Sequence, residues 1–180
     1  MASKTALTLA LAAAALAAGA AQAQPQAQQQ APSSGPSPVV SQFNSSTIAR
    51  LLLELNADFE VEAGANGQTV YRVSAQGGLA FTVAPRACAT ETGCVGLVMI
   101  AVFTRNDSRS LVELDTLLNT YNDLNPNGKA YRTPDGTVVL QGYVNAAYGI
   151  SYGNAQAQLL VFGQEIVKLS SALEDFAQGK

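Results

Sequence analysis

A nine-residue apolar run constrains the fold of this chain more than any other stretch. Residues 95–103 read VGLVMIAVF and contain no charged side chain. Such a run is typical of a strand that is buried on both faces, whereas a strand with one solvent face alternates apolar and polar residues. The sequence therefore predicts that residues 95–103 form the central strand of a sheet.

Shorter strands are predicted on both sides of this run. Their positions are 59–62, 70–73 and 79–84 before it, and 129–132 and 137–144 after it. Glycine-containing turns separate them, GANG at 64–67 and Pro-Asp-Gly at 134–136 being the clearest. We expect the third strand to stop at Pro85, because proline lacks the N–H that a central strand needs.

Three helices are indicated by apolar residues at helical spacing. In the first, the apolar residues follow Ser45 and Ser46, either of which can be the N-cap. Ser110 and Glu113 form a capping box at the start of the second. The third covers about 154–176, and its apolar stripe either faces the core or forms a coiled-coil-like seam between two copies. This stripe consists of Leu159, Phe162, Ile166, Leu169, Leu173 and Phe176.

The order of these elements is α-β-β-β-β-α-β-β-α. Strands joined by short turns form a mostly antiparallel sheet, and the helices must then cover one of its faces. The sequence therefore predicts an α+β domain with two layers.

The first 23 residues have the form of a secretory signal peptide. Lys4 precedes an alanine-rich apolar core at 7–17, and Ala21-Gln22-Ala23 is the small-x-small pattern that signal peptidase cleaves. The core is shorter than the roughly 20 apolar residues of a membrane span, which disfavours the alternative of a retained anchor. We expect a bacterial Sec-type exported protein, periplasmic or secreted, with no stable membrane insertion after cleavage.

A polar segment separates the signal peptide from the folded part. Residues 24–40 are mainly Gln, Pro, Ser and Ala and carry no charge. They offer too little apolar surface to offset the entropy of ordering the chain, which predicts a disordered tether. The predicted organisation is a signal peptide at 1–23, a tether at 24–40 and one domain at 41–180.

Composition excludes several classes of function. The chain has 10 basic and 13 acidic residues, and they are scattered, without the basic stripe that nucleic-acid binding requires. It has no histidine, which removes the usual general base near neutral pH and the commonest transition-metal ligand. A Ser-His-Asp or Cys-His arrangement cannot be built. We therefore expect no nucleic-acid partner and no enzymatic activity. Catalysis through carboxylates or a Ser-Lys pair stays open in principle, but nothing in the sequence points to it.

Several local features accompany the element order. They are Cys88-x5-Cys94 before the apolar run, the helix end Leu118-Asn119-Thr120-Tyr121-Asn122, Lys129-Ala130-Tyr131 leading to Asp135-Gly136, and Gly149-Ile150-Ser151 before the last helix. With these features, the stretch from Phe43 to Phe176 resembles the YbjN family of bacterial sensory transduction regulators, whose fold is similar to that of type III secretion chaperones. Tyr121 stands where the family often has tryptophan, a conservative departure. The resemblance implies a binding or regulatory protein with no known reaction and no cofactor.

Cys88 and Cys94 are the only cysteines of the chain. In an oxidising compartment, a pair at this spacing is predicted to form a structural disulfide across a hairpin loop. The alternative is a redox or metal site, but two thiols without histidine do not complete a closed zinc site.

Five side chains are candidates for partner binding. Tyr143, Tyr148 and Tyr152 lie beside glycines in one segment, and amphipathic rings in such a segment are typical of recognition surfaces. Alternatively, they pack the sheet edge against the last helix. Asn119 and Asn122 are three residues apart on the second helix. They could bind a peptide backbone, or they could cap the helix end and satisfy loop carbonyls.

Two pairs of carboxylates were considered for catalysis. Glu60 and Glu62 share one strand face at a spacing of about 7 Å, which superficially suits glycoside hydrolysis. Because the opposite face of that strand is the apolar one, we expect both to face water. Glu113 and Asp115 form the second pair, on a predicted helix. Neither pair is a predicted catalytic site.

Two functions follow from these observations. The first is a non-enzymatic exported protein that binds a protein or peptide partner in a regulatory or chaperone-like role. Binding would use the sheet face or the segment 143–152, and the last helix could support a homodimer. The alternative is a small-ligand-binding sensor of the cell envelope, with the ligand held between the sheet and the helices.

The signal peptide gives the first testable prediction. Expressed with its full sequence in a bacterial host and recovered from the exported fraction, the protein should begin at Gln24. Intact-mass measurement and N-terminal sequencing read this directly. A protein that keeps Met1 and stays in the membrane pellet would instead support the retained anchor.

Overall fold

The computed structural model describes residues 38–64, 67–90, 93–105 and 107–179. The predicted signal peptide and residues 24–37 of the predicted tether lie outside the described residues. In chain order the elements are β1 (Val39–Val40), α1 (Ser45–Glu54), β2 (Asp58–Ala63), β3 (Thr69–Ala75), a 3-10 turn (Gln76–Gly78), β4 (Leu79–Thr90), β5 (Gly93–Phe103), α2 (Leu111–Leu124), β6 (Lys129–Arg132), β7 (Val138–Asn145), β8 (Ile150–Ser151) and α3 (Tyr152–Ala177).

Six of the strands form one antiparallel sheet. Their order is β2-β3-β4-β5-β7-β6, so β5 pairs with β4 on one side and with β7 on the other. The predicted central strand and the predicted α+β class are both confirmed. β1 and β8 form a separate two-stranded sheet that the sequence did not predict.

The two faces of β5 have different surroundings. Leu97 and Met99 point towards the helices and join the hydrophobic core, where they are 0% and 2% exposed. Val98 and Val102 alternate with them and belong to the opposite face, where Val98 is buried and Val102 is 61% exposed. Burial on both faces is therefore found at Val98 but not at Val102, because the helices pack on one face only.

β4 continues through Pro85, which corrects the predicted stop. Pairing with β3 ends at Val83, whereas pairing with β5 continues with Pro85 opposite Leu97. The carbonyl oxygen of Pro85 accepts a hydrogen bond from the Arg86 guanidinium at 3.0 Å, so this side of the backbone does not belong to a ladder. Proline is tolerated here because its missing N–H faces the side where β3 no longer pairs.

The N-cap of α1 is Asn44 rather than Ser45 or Ser46. Its side-chain oxygen accepts a hydrogen bond from the Thr47 N–H at 2.9 Å and another from the Ser46 hydroxyl at 2.7 Å. Asparagine caps a helix at least as well as serine, and the periodicity of the apolar residues does not distinguish neighbouring caps.

The capping box of α2 is present as predicted. The Glu113 N–H donates to the Ser110 hydroxyl, and the Glu113 carboxylate accepts from the Ser110 N–H at 3.1 Å. These bonds satisfy the backbone N–H groups of Ser110 and Glu113 at the helix start and fix where α2 begins.

α3 is 26 residues long and supplies a large share of the core. Its predicted stripe faces the sheet, so the core-facing alternative is the observed one. Five residues of the stripe are buried and Leu173 is half-buried against the same core: Leu159, Phe162, Ile166, Leu169 and Phe176. Within the described part of the chain, no helix is long and apolar enough to cross a membrane.

The ordered part of the domain begins before residue 41. Val39 and Val40, the last two residues of the predicted tether, form β1 and pair with β8. Val40 is 6% exposed and belongs to the core. The burial of one valine and the pairing with β8 thus order the end of a segment whose composition by itself predicts disorder.

A buried polar contact links α2 to α3. The Tyr121 hydroxyl lies 2.7 Å from the Glu165 carboxylate, which is only 1% exposed, and 3.0 Å from the Glu165 carbonyl oxygen. Lys168 donates to the same carboxylate at 2.9 Å. Burial, followed by the hydrogen bond to Glu165, raises the pKa of Tyr121 well above its usual value. The phenol therefore remains a donor at any physiological pH.

This contact predicts a loss of stability in the variant Tyr121→Phe. Removing the hydroxyl leaves a buried carboxylate with one donor fewer, which costs about 1–3 kcal/mol. Urea unfolding followed by circular dichroism measures the loss. Tyr131→Phe, on a half-exposed ring, is the control and should change the free energy of unfolding by less than about 0.5 kcal/mol. Equal losses in both variants would contradict a specific role for the buried contact.

Candidate functional site

An apolar strip lies on the sheet face opposite the helices. It is formed by β5, β7 and β6, and we call it the outer strip; its residues are Val98, Ile100, Val102, Tyr131, Val139 and Tyr143. In the register of the sheet, Val98 lies opposite Tyr143 and Val102 lies opposite Val139. Gln141 and Lys129, which lie opposite each other on β7 and β6, are the polar side chains of this part of the face. The solvent face of an antiparallel sheet is normally polar throughout, so six apolar side chains here are a departure from the usual pattern.

Part of the outer strip is open to solvent. Val102, Tyr143 and Tyr131 are 61%, 49% and 37% exposed, whereas Val98 and Val139 are buried by their neighbours on the same face. Although Val98 and Val139 are buried, they do not belong to the main core cluster. The outer strip is thus a second, shallow apolar cluster with an exposed edge.

Tyr143 is held in place by the absence of a side chain at Gly96. A Cβ added to Gly96 would collide with the Tyr143 hydroxyl and would lie 2.7 Å from the ring carbon Cζ. The ring therefore lies flat across the backbone of β5, in the space that glycine leaves open. This packing presents one face of the ring to solvent and fixes its orientation.

The half of the same face on β2 and β3 is polar. Arg72 donates two hydrogen bonds to Glu62, at 2.8 and 3.0 Å, and Glu60 lies opposite Arg72 in the register. The hydrogen bond from Arg72 lowers the pKa of the Glu62 carboxyl. As expected, Glu60 and Glu62 are both exposed, and Glu62 is bound in an ion pair.

The second pair of carboxylates has structural contacts. Glu113 belongs to the capping box and also binds Arg109 at 2.7 Å; hydrogen bonds from Arg109 and Ser110 lower its pKa to about 2. Asp115 binds Arg132 of β6 through both oxygens, at 2.7 and 2.9 Å. Within the described residues, no cluster of three or more Asp, Glu, His or Cys side chains could hold a metal ion.

The three candidate tyrosines do not form one surface. Tyr143 lies in the outer strip, and Tyr148 is fully exposed in the turn after β7. Tyr152 is 9% exposed at the start of α3, where the Arg50 guanidinium lies 4.6 Å from its ring centroid. Burial raises the pKa of Tyr152. Tyr152 is therefore a packing residue, as the alternative interpretation had it.

The two candidate asparagines are also separated in their roles. Asn122 binds the backbone of Ala130 twice, since its amide donates to the carbonyl and its side-chain oxygen accepts from the N–H, both at 2.8 Å. These bonds attach α2 to the edge strand β6. Asn119 lies on the exposed face of α2. The amide of Asn122 is thus occupied within the domain, which leaves Asn119 as the accessible member of the pair.

The predicted disulfide between Cys88 and Cys94 is present, with the two sulfurs 2.05 Å apart. The two cysteines face each other across β4 and β5. Cys94 also pairs with Phe43 just before α1, where the Phe43 N–H donates to the Cys94 carbonyl at 2.7 Å. The disulfide therefore fixes the end of the β4–β5 hairpin against the segment that leads into α1.

A cleft opens on the other side of the molecule, between α1, α3 and the turn after β3. It has a volume of about 290 Å³ and is mainly apolar. The sequence predicts a ligand between the sheet and the helices only as an alternative function and indicates no residue for its site. The cleft results from the difference in length between α1 and α3. The sequence gives both lengths, but only the structure shows that the two helices lie next to each other.

The sequence patterns also do not predict that the residues of the outer strip form one surface. The glycines beside Tyr143 mark it as a candidate in the sequence, whereas Val102, Val139 and Tyr131 are predicted only as strand residues. The sequence did contain a signal, because an uncharged nine-residue strand in a sheet that is covered on one face must expose apolar side chains on the other.

Comparison with known proteins adds one match. Residues 44–175 match the family model YbjN, described as "Putative bacterial sensory transduction regulator". The match spans the domain from the N-cap of α1 to the end of α3. Among curated proteins, no match to this chain was found.

The disulfide gives a prediction about stability. The native exported protein should have no thiol that reacts with Ellman's reagent before reduction. Replacing both cysteines, Cys88→Ala with Cys94→Ala, should lower the free energy of unfolding by roughly 2–3 kcal/mol, because the short loop is no longer closed in the unfolded chain. Two reactive thiols in the native protein would overturn the structural interpretation.

Proposed function

The chain belongs to the YbjN family, and from this premise we propose that it is an exported, non-enzymatic regulatory protein that binds a protein or peptide partner through the outer strip. The observation that carries the proposal is the exposure of Val102, Tyr143 and Tyr131 on the solvent face of the sheet. Gln141 and Lys129 are the polar side chains between them on the same face. Several exposed apolar side chains grouped on one face and bordered by polar residues are typical of interaction sites. Tyrosine adds contact area at a small entropic cost.

The distribution of charge supports this choice of surface. The outer positions of β5 and β7 carry no charged side chain, whereas Glu60, Glu62 and Arg72 lie on the neighbouring half of the same face. An apolar centre beside a polar margin is the usual composition of a protein interface. We propose that the partner presents an apolar segment to the outer strip and polar groups to β2 and β3.

Export is supported by two independent features. The N-terminal sequence has the form of a signal peptide, and the domain contains a disulfide between its two cysteines. Disulfides persist in oxidising compartments such as the periplasm or the exterior of the cell. We propose that the regulatory role is carried out there.

The absence of enzymatic activity is part of the proposal. The chain has no histidine, and the carboxylates that were considered for catalysis are in ion pairs or exposed to water. Such carboxylates lack the burial that raises a pKa for general acid catalysis.

The test compares two valines that are equally exposed in strands. Val102→Lys places a charge in the outer strip at a site that is 61% exposed, and Val61→Lys places a charge on β2, on the opposite face of the sheet, at a site that is 59% exposed. Crosslinked cell envelopes would be probed with each mature variant and with Tyr143→Ala. We expect one dominant partner. The amount recovered should fall about tenfold or more with Val102→Lys, because the interface would have to desolvate a charge, and should be unchanged with Val61→Lys.

Equal retention by all variants would refute the outer strip as the binding surface. Tyr152 is left unchanged in this experiment because its ring is buried. Light scattering of the purified protein at micromolar concentration distinguishes a different partner from a second copy of this chain. A dimer that Val102→Lys dissociates would mean that the partner is the protein itself, and a monomeric mass would remove the homodimer.

A second candidate function, a small-ligand sensor, is favoured by a separate observation. The cleft between α1 and α3 lies between the sheet and the helices, and it is on the side of the molecule away from the outer strip. Ligand pockets are typically concave and mainly apolar, with a few polar groups.

A further inference from the structure

The cleft exists because α1 is shorter than α3. The second half of α1 lies beside the first turns of α3, where Arg50 contacts Tyr152 and Glu54 contacts Gln156. α1 ends after 10 residues, and Asn56 then turns the chain away with a φ of 52°. α3 continues for several turns beyond this point, so its side that faced α1 is left without a covering helix.

The walls of the cleft come mainly from α1, α3 and β4. The end of α1 supplies Leu52 and Leu55, and the next turns of α3 supply Leu160, Gly163 and Val167. Leu79 and Phe81 of β4 form the floor. Leu160 and Val167 are 53% and 51% exposed, so the mouth of the cleft is apolar as well as its floor.

Gly163 keeps the cleft open. It lies in the interior of α3, where glycine weakens a helix relative to alanine. A Cβ added there would meet only the Leu79 side chain, at 3.8 Å, which is an ordinary contact distance. The surrounding protein therefore leaves room for a side chain at position 163, and the empty space beside Gly163 is part of the cleft.

The chemistry of the lining limits what can bind. None of the lining residues is Asp, Glu, Lys or Arg, and the polar groups are the three amides of Asn56, Gln76 and Gln164. A charged ligand would lose its hydration without gaining a counter-ion, which is unfavourable. Amides can instead donate to or accept from a neutral polar group. The volume, about 290 Å³, lies near the lower end of the range for small-molecule pockets.

We propose that this cleft binds one small, uncharged and largely apolar molecule, with the amides of Asn56, Gln76 and Gln164 contacting a neutral polar group on it. The proposal rests on the second candidate function, ligand sensing, and is independent of partner binding at the outer strip. It adds the residues of the site and the charge class of the ligand.

The test uses two fluorescent probes that differ by one charge. N-phenyl-1-naphthylamine is neutral, and 8-anilino-1-naphthalenesulfonate is the same ring system with a sulfonate. Titrated against the folded protein from Gln24 onward, the neutral probe should saturate at one molecule per chain. The anionic probe should bind about tenfold more weakly or worse, because its sulfonate finds no cation in the lining.

Two glycines of α3 provide matched variants. Gly163→Leu fills the cleft and should weaken binding of the neutral probe about tenfold or more, since the added side chain occupies its space. Gly153→Leu places the same side chain in the same helix, where an added Cβ meets nothing within 4 Å. It should leave probe binding unchanged. If Gly163→Leu does not fold, Gly163→Ala replaces it and should weaken binding by about threefold.

Each outcome bears on a different part of the proposal. Absence of saturable binding by either probe would refute the ligand-sensing function itself. If both probes bind with equal affinity and Gly163→Leu abolishes the binding of both, the cleft is the binding site but the ligand need not be uncharged. Probe binding that Gly163→Leu and Gly163→Ala leave unchanged would overturn the site. A dimer seen by light scattering that Gly163→Leu dissociates would show that the occupant is a second copy of the chain.

Discussion

The hydrogen-bonded ladders on the two sides of β5 are the constraint on which the rest of the structure depends. β4 pairs with β5 from Gly93 to Ile100 and β7 pairs with it from Gly96 to Phe103, and β3 and β6 are attached through them. Because side chains alternate along a strand, the same apolar run supplies Leu97 and Met99 to the core and Val98 and Val102 to the opposite face. One strand therefore builds both the hydrophobic core and the surface proposed for partner binding.

The helices on the inner face are fixed by contacts of different kinds. α3 is held mainly by its apolar stripe, and the buried contact between Tyr121 and Glu165 sets its position against α2. Asn122 attaches α2 to β6 through two hydrogen bonds. α1 is shorter and ends at Glu54, and Asn56 then turns the chain away, which leaves the adjoining surface of α3 open. The proposed ligand cleft and the outer strip thus arise on opposite sides of one sheet and can be tested separately.

The local patterns of the sequence predicted most of the elements correctly. The capping box at Ser110 and the apolar spacing of α3 each depend on neighbouring residues, and each is found as predicted. The uncharged run forms the central strand as predicted, but its burial on both faces does not extend to Val102. The predicted stop at Pro85 was wrong because the tolerance of a proline depends on where the neighbouring strand ends. That boundary is set by β3, which is distant in sequence.

The sequence by itself determined the α+β class, the central strand, the disulfide pair and the family, since these follow from periodicity, spacing and local motifs. Only the tertiary structure decided which side chains remain accessible. Tyr143 and Tyr152 are nine residues apart and both stand beside glycines in the sequence. In the structure, Tyr143 lies in the outer strip and Tyr152 lies beneath Arg50. The solvent exposure of a side chain depends on which elements, distant in sequence, pack over it. Local sequence patterns do not show those tertiary contacts.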